Sequence, residues 1–139
     1  MFPPFKGGFQ RVSIKIMDRK ETGAIAENIA ADYLSKRGYK IRERNYRTRE
    51  GEIDIIAEKD GTLIFFEVRA KTGKAFGSAE ESITERKKKR LVALAEAYLS
   101  DTGEQPESCR IDIIAIDLDA DGKLMRLSVI ENATGWTTT

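Results

Sequence analysis

The stretch from Gly51 to Arg69 reads G-E-I-D-I-I-A-E-K-D-G-T-L-I-F-F-E-V-R, and it decides the fold of this chain. Two runs rich in β-branched and aromatic residues flank Lys59-Asp60-Gly61, a sequence typical of a tight hairpin turn. The pattern predicts two antiparallel strands, Glu52 to Glu58 and Thr62 to Ala70. An α/β fold can be built outward from this hairpin.

Each of these strands carries a carboxylate in an apolar setting. Asp54 lies on the first strand, and Glu67 lies among Phe65, Phe66 and Val68 on the second. Burying a carboxylate is costly unless it is paired or binds a metal. Two carboxylates on paired strands, with a cation nearby, indicate a divalent-metal site that acts on a phosphate. The alternative is a salt-bridged pair at the edge of a sheet.

Strand alternation extends this candidate site. Side chains two apart share a face, so Glu67, Arg69 and Lys71 are expected to point the same way. By the same rule Asp54 is expected to share a face with Glu52 and Ile56. A third carboxylate, Glu27, lies at the edge of the apolar stripe of the first helix. It is predicted either to reach the site or to remain an ordinary surface residue.

The other elements follow from apolar spacing and turn residues, and they predict a central mixed sheet flanked by helices. The helix between the third and fourth strands implies a parallel, right-handed crossover. Its start is ambiguous between Ser78 and Ser82, where Ser82-Ile83-Thr84-Glu85 fits a capping box. The predicted order is α-β-β-β-α-β-β, with a first helix from Thr22 to Arg37, a basic strand from Tyr39 to Arg47, the hairpin, a helix ending near Tyr98, and strands Arg110 to Asp117 and Leu124 to Ile130.

Composition narrows the chemistry. The 139 residues suit one domain, predicted from 20 to 135, and carry a net charge of +1. Histidine is absent, which excludes histidine-based triads and histidine-ligated zinc within one chain. The lone Cys109 forms no intramolecular disulfide and no cysteine-rich zinc site. A bound metal would therefore be held by oxygen, which favours magnesium, manganese or calcium.

Charge is unevenly distributed along the chain. Between Lys36 and Glu50 there are seven basic and two acidic residues, and five basic residues run from Arg86 to Arg90. Between Asp101 and Asp121 the balance reverses, with seven acidic residues against Arg110 alone. A basic face and an acidic face are expected. The Arg86 to Arg90 run is, by default, a solvated helix face.

The N-terminal segment, residues 1–19, is expected to be a flexible extension. Pro3, Pro4, Gly7 and Gly8 disfavour regular structure at its start, although Val12, Ile14 and Ile16 alternate like a short edge strand. No apolar run is long enough to cross a bilayer, and the start lacks the apolar core of a signal peptide. A cytoplasmic location is the expectation.

The sequence resembles the YraN family of small bacterial proteins over about Glu21 to Ala133. Each matching piece is short, but their order and spacing together are specific. The pieces are Gly23-Ala24-Ile25-Ala26-Glu27, Asn45-Tyr46-Arg47-Thr48-Arg49, Gly51-Glu52-Ile53-Asp54-Ile55-Ile56, Phe66-Glu67-Val68, Phe76-Gly77, Ile83-Thr84 with Lys87, Arg110-Ile111-Asp112-Ile113, and Ile130-Glu131-Asn132-Ala133.

The resemblance implies a restriction-endonuclease-like fold, similar to archaeal Holliday junction resolvases. It implies that Asp54 and Glu67 bind Mg²⁺ or Mn²⁺ together with the backbone carbonyl of Val68, and that Glu27 is the carboxylate supplied by the first helix. DNA, branched or damaged, is the implied substrate, and a homodimer is compatible with the resemblance. The nucleic-acid contacts expected on this basis are Arg47, Arg49, Thr84 and Lys87.

One position departs from the signature of the wider superfamily, an Asp followed by Glu-x-Lys. Arg69 stands at the Lys position, and the next basic residue of matching parity is Lys71, about 6.6 Å further along an extended strand. Arginine stays protonated, so it cannot act as a base, but it can still clamp a phosphate. Arg69, with or without Lys71, is predicted to stabilise the phosphate.

Three functions remain open from the sequence. The first is a metal-dependent nuclease. The second is a nucleic-acid-binding module with reduced or lost catalysis, which the Arg69 substitution motivates. The third is a protein-interaction domain that uses the acidic 101–121 segment. Tyr46 leaves a similar choice, since it can stack on an unpaired base or pack in the core. Asp112 is interpreted as structural, paired with a basic neighbour.

Overall fold

A computed structural model describes residues 18–72 and 83–138, and these form a mixed sheet with a helix on each face. The predicted α/β class and the order α-β-β-β-α-β-β are confirmed, with one short strand added at the end. The elements are α1 (Arg19–Lys36), β1 (Lys40–Thr48), β2 (Gly51–Lys59), β3 (Thr62–Thr72), α2 (Glu85–Thr102), β4 (Ser108–Leu118), β5 (Leu124–Ile130) and β6 (Thr137–Thr138).

The strands lie in the order β1-β2-β3-β4-β5, with β6 paired to the start of β4. The hairpin of β2 and β3 is antiparallel, in register from Ile55 opposite Phe66 to Lys59 opposite Thr62. Strands β3 and β4 are parallel, as the helical crossover requires. The pair β3–β4 runs unbroken from Thr62 to Thr72, so β3 is the central strand that carries the site.

Two cores hold the layers together. The helix α1 buries Ala26, Ala30 and Leu34 against one face of the sheet. The helix α2 buries Leu91, Leu94, Ala95 and Tyr98 against the other. Burial of this kind stabilises a fold by about 25 cal/mol per Å² of apolar surface. The sheet is therefore covered on both faces. Charged side chains buried in it, such as Glu67 and Asp112, require partners that offset the cost of burial.

Both helix starts differ from the prediction. Asp18 and Arg19, placed by sequence in the extension, belong to α1: Asp18 caps the helix and exchanges hydrogen bonds with Glu21 in a capping box. The prediction that α2 begins at Ser78 or Ser82 is wrong, because the helix begins at Glu85 behind the N-cap Thr84. The Thr84 hydroxyl accepts from the amide of Lys87, so the cap lacks the reciprocal glutamate of a capping box.

Several predictions fall outside the described residues. They concern the alternating segment from Val12 to Ile16, most of the extension and the Phe76-Gly77 motif. At the other end, β6 extends the sheet to Thr138, beyond the predicted limit at 135.

Tyr46 and Asp112 have structural roles. The Tyr46 ring packs edge-on against Tyr98 with centroids 5.2 Å apart, and its hydroxyl donates to Asp101. Asp112 is fully buried and accepts from Arg110, which confirms the predicted basic neighbour, and from the backbone amide of Asn132. This carboxylate ties the segment after β5 to the sheet. Burial is the largest influence on the Asp112 pKa and raises it, although both hydrogen bonds lower it.

Candidate functional site

One surface cavity of about 1000 Å³ collects most of the predicted site residues. It is lined from α1, β1, β2 and β3, and it contains Glu27, Arg47, Asp54, and the run from Glu67 to Lys71. Its charged lining comprises six basic and four acidic residues: Arg19, Lys20, Arg44, Arg47, Arg69 and Lys71, with Glu27, Glu52, Asp54 and Glu67. Separate elements thus bring the sequence-predicted carboxylates into one predominantly cationic space.

Asp54 lies where β2 breaks its alternation. Ile53 and Ile56 both pack in the α2 core, whereas Ile55 packs in the α1 core. In a regular strand, residues three apart lie on opposite faces, so one residue between Ile53 and Ile56 must be irregular. The prediction that Glu52, Asp54 and Ile56 share a face is therefore wrong. On β1, the residue facing this break is Asn45, whose φ is 55°. The irregularity turns the Asp54 carboxylate into the cavity.

The Asp54 carboxylate bridges β2 to β3 beyond their last paired residues. Its Oδ2 accepts a 2.8 Å hydrogen bond from the backbone amide of Val68. Burial is the main cause that raises the pKa of Asp54 to about 7; the Val68 amide opposes this rise, and the charges of Glu67, Glu27 and Glu52 add to it. The acidic groups of the cavity are therefore close enough to influence one another.

Glu67 continues the Leu63–Phe65 face of β3, and its side chain is only 9% exposed. Two cations reach the same carboxylate oxygen, Oε2: Nζ of Lys87 at 3.1 Å and Nη1 of Arg69 at 3.7 Å. The predicted shared face of Glu67 and Arg69 agrees with this contact. Glu67 is thus a nearly enclosed carboxylate whose negative charge is balanced by two side chains.

Glu27 lies on α1 above the β1 irregularity. Both of its oxygens accept from the Asn45 side-chain amide, at 3.0 Å each, and Oε1 also accepts from Arg44 at 3.1 Å. The contacts show a carboxylate held in place from β1. Its role as a metal ligand stays a prediction.

The predicted nucleic-acid contacts lie in different places. Arg47 lines the cavity and pairs with Glu52 at 2.6 Å, and Arg49 is exposed in the turn between β1 and β2. Thr84 uses its hydroxyl to cap α2, and Lys87 points at Glu67. Of these four residues, only Arg47 is part of the cavity wall, so sequence alone did not predict what Thr84 and Lys87 contact.

The donor set fits a magnesium or manganese ion held by two carboxylates. Asp54 and Glu67 present hard oxygen ligands from adjacent strands, and magnesium commonly uses one or two carboxylates with waters and substrate phosphates. Within residues 18–72 and 83–138, no three aspartate, glutamate, cysteine or histidine side chains converge as a metal-binding group.

The sequence analysis did not predict the residues that hold Glu27 in place or add positive charge at the rim of the cavity. Asn45 and Arg44 hold Glu27, and Arg19 and Lys20 add charge from the first turn of α1. Two signals were available. Asp18-x-x-Glu21 is a capping-box pattern that starts α1 early enough to include Arg19. Asparagine is also enriched at the positive φ that Asn45 adopts.

Fold and cavity together define an α/β protein with an acidic pair inside a cationic cavity beside its central strand. The sequence model of the uncharacterised protein family UPF0102 matches residues 26–116, which cover most of the cavity lining and most of the sheet. The chain belongs to this family, which is the YraN family of the resemblance above.

Curated relatives match over most of their length. A UPF0102 protein of Pelotomaculum thermopropionicum is 46% identical over 115 residues, 83% of this chain and 96% of the relative. One from Symbiobacterium thermophilum is 40% identical over 114 residues, 82% and 96% respectively. One from Moorella thermoacetica is 42% identical over 117 residues, 84% and 98%.

The described helices give no sign of a transmembrane segment. Neither α1 nor α2 combines the length and the apolar character needed to cross a bilayer.

Proposed function

We propose that this protein is a divalent-metal-dependent nuclease that hydrolyses phosphodiester bonds in DNA, with branched or damaged DNA as the preferred class of substrate. The observation that carries the proposal is the meeting of Asp54 and Glu67 in a cavity whose other charged groups are mainly cationic. Carboxylates are typical ligands of a divalent metal, and the surrounding cationic side chains would bind the phosphates of a nucleic acid. An ordinary structural ion pair needs no cavity of this size around it.

In this proposal the acidic residues bind the metal and the basic residues bind the phosphate. Asp54 and Glu67 would hold Mg²⁺ or Mn²⁺, with the Val68 carbonyl and Glu27 as the remaining candidates. When bound, the metal would supply a water of lowered pKa and stabilise charge on the phosphate. Arg69 and Lys71 follow Glu67 along the cavity wall and would neutralise the phosphate undergoing attack.

The cationic wall would also orient the DNA strand. Arg44 and Arg47 stand on β1, on one side of the carboxylates, while Arg19 and Lys20 stand on α1. Neither Arg19 nor Lys20 forms an ion pair with another described residue. Phosphates on both sides of the bond being cut would therefore meet positive charge. Binding of this kind weakens steeply with salt because counterions are released.

A second candidate is a nucleic-acid-binding module that does not cut. The contacts of Glu67 favour it, because both Lys87 and Arg69 contact this carboxylate and balance its charge. In this case DNA binding persists in chelator, and Glu67 only positions its two cations. The Arg69 substitution at the signature Lys position points the same way.

The acidic 101–121 segment gives less support to a protein-interaction domain. Five of its seven acidic residues are engaged within the chain: Asp101 by Tyr46, Glu104 by Arg42, Asp112 by Arg110, Asp117 by Arg126, and Asp119 by the backbone amides of Asp121 and Lys123. These contacts account for much of the acidic charge without an external partner.

Cleavage of labelled linear, flapped and four-way DNA in Mg²⁺ and in Mn²⁺ tests the proposal. Glu67→Gln removes the charge with little change in shape, and Glu96→Gln is the matched control on an exposed face of α2. Cutting by the native protein and by Glu96→Gln, but not by Glu67→Gln, is the expected result. If native protein binds these substrates in a salt-dependent way yet cuts none in either metal, the binding module replaces the nuclease.

A further inference from the structure

The carboxylate of Glu67 has a counter-ion that comes from the helix packed on the same face of the sheet. Lys87 belongs to α2, and its Nζ lies 3.1 Å from Glu67 Oε2. Arg69, from the same strand as Glu67, is further away at 3.7 Å and reaches the same oxygen. The Glu67 side chain is 9% exposed and that of Lys87 is 30% exposed, so this pair is largely shielded from solvent.

The local structure of α2 fixes where Lys87 stands. Its backbone amide donates to the hydroxyl of Thr84, the N-cap of the helix. The first turn of α2 therefore anchors the base of the side chain, and the flexible butyl stem carries the ammonium to the sheet. A lysine stem can move its charge by several ångströms without moving the helix.

An ammonium group and a divalent cation compete for this oxygen. A carboxylate–magnesium bond is about 2.1 Å long, and a second cation in contact with the same oxygen would be strongly repelled in a poorly solvated site. Metal binding at Oε2 of Glu67 therefore requires Lys87 to withdraw. The released ammonium remains at the edge of the site, where a phosphate oxygen is its natural acceptor.

We propose that Lys87 is the resident cation of Glu67: it balances the carboxylate in the metal-free protein, gives way to the divalent ion, and then binds the phosphate of the substrate. The inference rests on the proposed function for the metal and the DNA. It makes Lys87 a substrate-binding residue that couples metal binding to DNA binding, because the metal releases the ammonium group that the substrate phosphate then binds. It also gives the site a lysine that strand β3 lacks at position 69.

Mn²⁺ titration of the metal-free protein, without DNA, tests whether Lys87 competes with the metal for Glu67. Lys87→Met keeps the stem and removes the charge, and Lys87→Gln keeps a polar end in case the apolar one disturbs folding. Lys89→Met removes the same charge from an exposed position of α2 and is the control. We expect about tenfold tighter Mn²⁺ binding in both Lys87 variants, native affinity in Lys89→Met, and no binding in Glu67→Gln.

DNA binding with and without Mn²⁺ tests whether the released Lys87 binds the phosphate of the substrate. Native protein and Lys89→Met should gain DNA affinity when Mn²⁺ is added, and both Lys87 variants should lose most of that gain. Unchanged or weaker Mn²⁺ binding in the Lys87 variants overturns the inference, while loss in Glu67→Gln still supports the metal site. Absence of Mn²⁺ binding in native and Lys87 variants alike overturns the inference together with the metal-dependent function.

Discussion

The side-chain amide of Asn45 donates to both carboxylate oxygens of Glu27, each at 3.0 Å. Asn45 makes this contact from a left-handed backbone conformation with φ of 55°, at the position of β1 that faces the break in β2. The same asparagine thus accompanies the irregularity that exposes Asp54 and orients the carboxylate of Glu27. The neutral side chain of Asn45 thus orients Glu27, and its backbone lies opposite the break in β2 at Asp54.

Replacing Asn45 with alanine should lower the free energy of unfolding by about 1–3 kcal/mol, because the Glu27 carboxylate loses the Asn45 donor and the positive φ becomes unfavourable for the new side chain. Urea denaturation measures the loss. Asn45→Gly separates the two causes, since glycine tolerates the positive φ, and it should be the more stable of the two variants. Equal stability of Asn45→Ala and the native protein would contradict the role assigned to Asn45.

Asp54 predicts a specific dependence of stability on pH in chelator. Its pKa is raised to about 7 from 3.8, so the folded state holds a proton that the unfolded state releases. This contribution to stability is complete below the unfolded pKa, declines as pH rises, and is lost above pH 7. Asp54→Asn is permanently neutral and should not show this decline.

The measurement is the difference in free energy of unfolding between Asp54→Asn and the native protein at several pH values. We expect it to grow with pH by up to about 1.4 kcal/mol per pH unit between pH 4 and 7, and to level off above. Asp112 also titrates, but it is present in both proteins and cancels. A difference that is constant across this range would show that Asp54 ionises normally.

Asp112 is expected to be far more important for stability than Asp117, a partly exposed acidic residue of the same strand. Asp112→Ala leaves Arg110 without its buried partner and should cost about 3 kcal/mol. Asp117→Ala breaks the Arg126 ion pair, in which the two side chains are 31% and 68% exposed, and should cost less than about 1 kcal/mol. Chemical denaturation compares them, and similar losses would contradict the structural role of Asp112.

Two glycine-to-alanine changes should act in opposite directions. Gly61 has φ of 82°, and an added Cβ would lie 2.6 Å from Oε1 of Glu107, so Gly61→Ala should lower thermal stability. Gly23 lies within α1 with nothing within 4 Å of an added Cβ, so Gly23→Ala should stabilise the protein by about 0.5–1 kcal/mol. Adding Glu107→Ala to Gly61→Ala should recover only the steric part of the loss.

The fold was largely predictable because its signals are local. The hairpin turn and the strongly apolar strands predict β2 and β3, and the apolar spacing of Leu91, Leu94 and Tyr98 predicts α2. The parallel pairing of β3 and β4 followed from the helix between them. The start of α2 was not predicted correctly, because Ser82 and Thr84 are both acceptable caps and only the folded chain selects one. Strand β6 has no apolar pattern and depends on pairing with β4.

The sequence by itself determined the α/β class, the family and the identity of the two carboxylates, since these depend on residue types and on spacing within single elements. Tertiary structure decided which way those groups face and what they contact. The alternation of β2 breaks at Asp54, between the β1-paired residues Ile53 and Ile55, and Lys87 reaches Glu67 from the helix that packs on the same face of the sheet. Both relationships join residues distant in sequence, so no local pattern of the chain could have specified them.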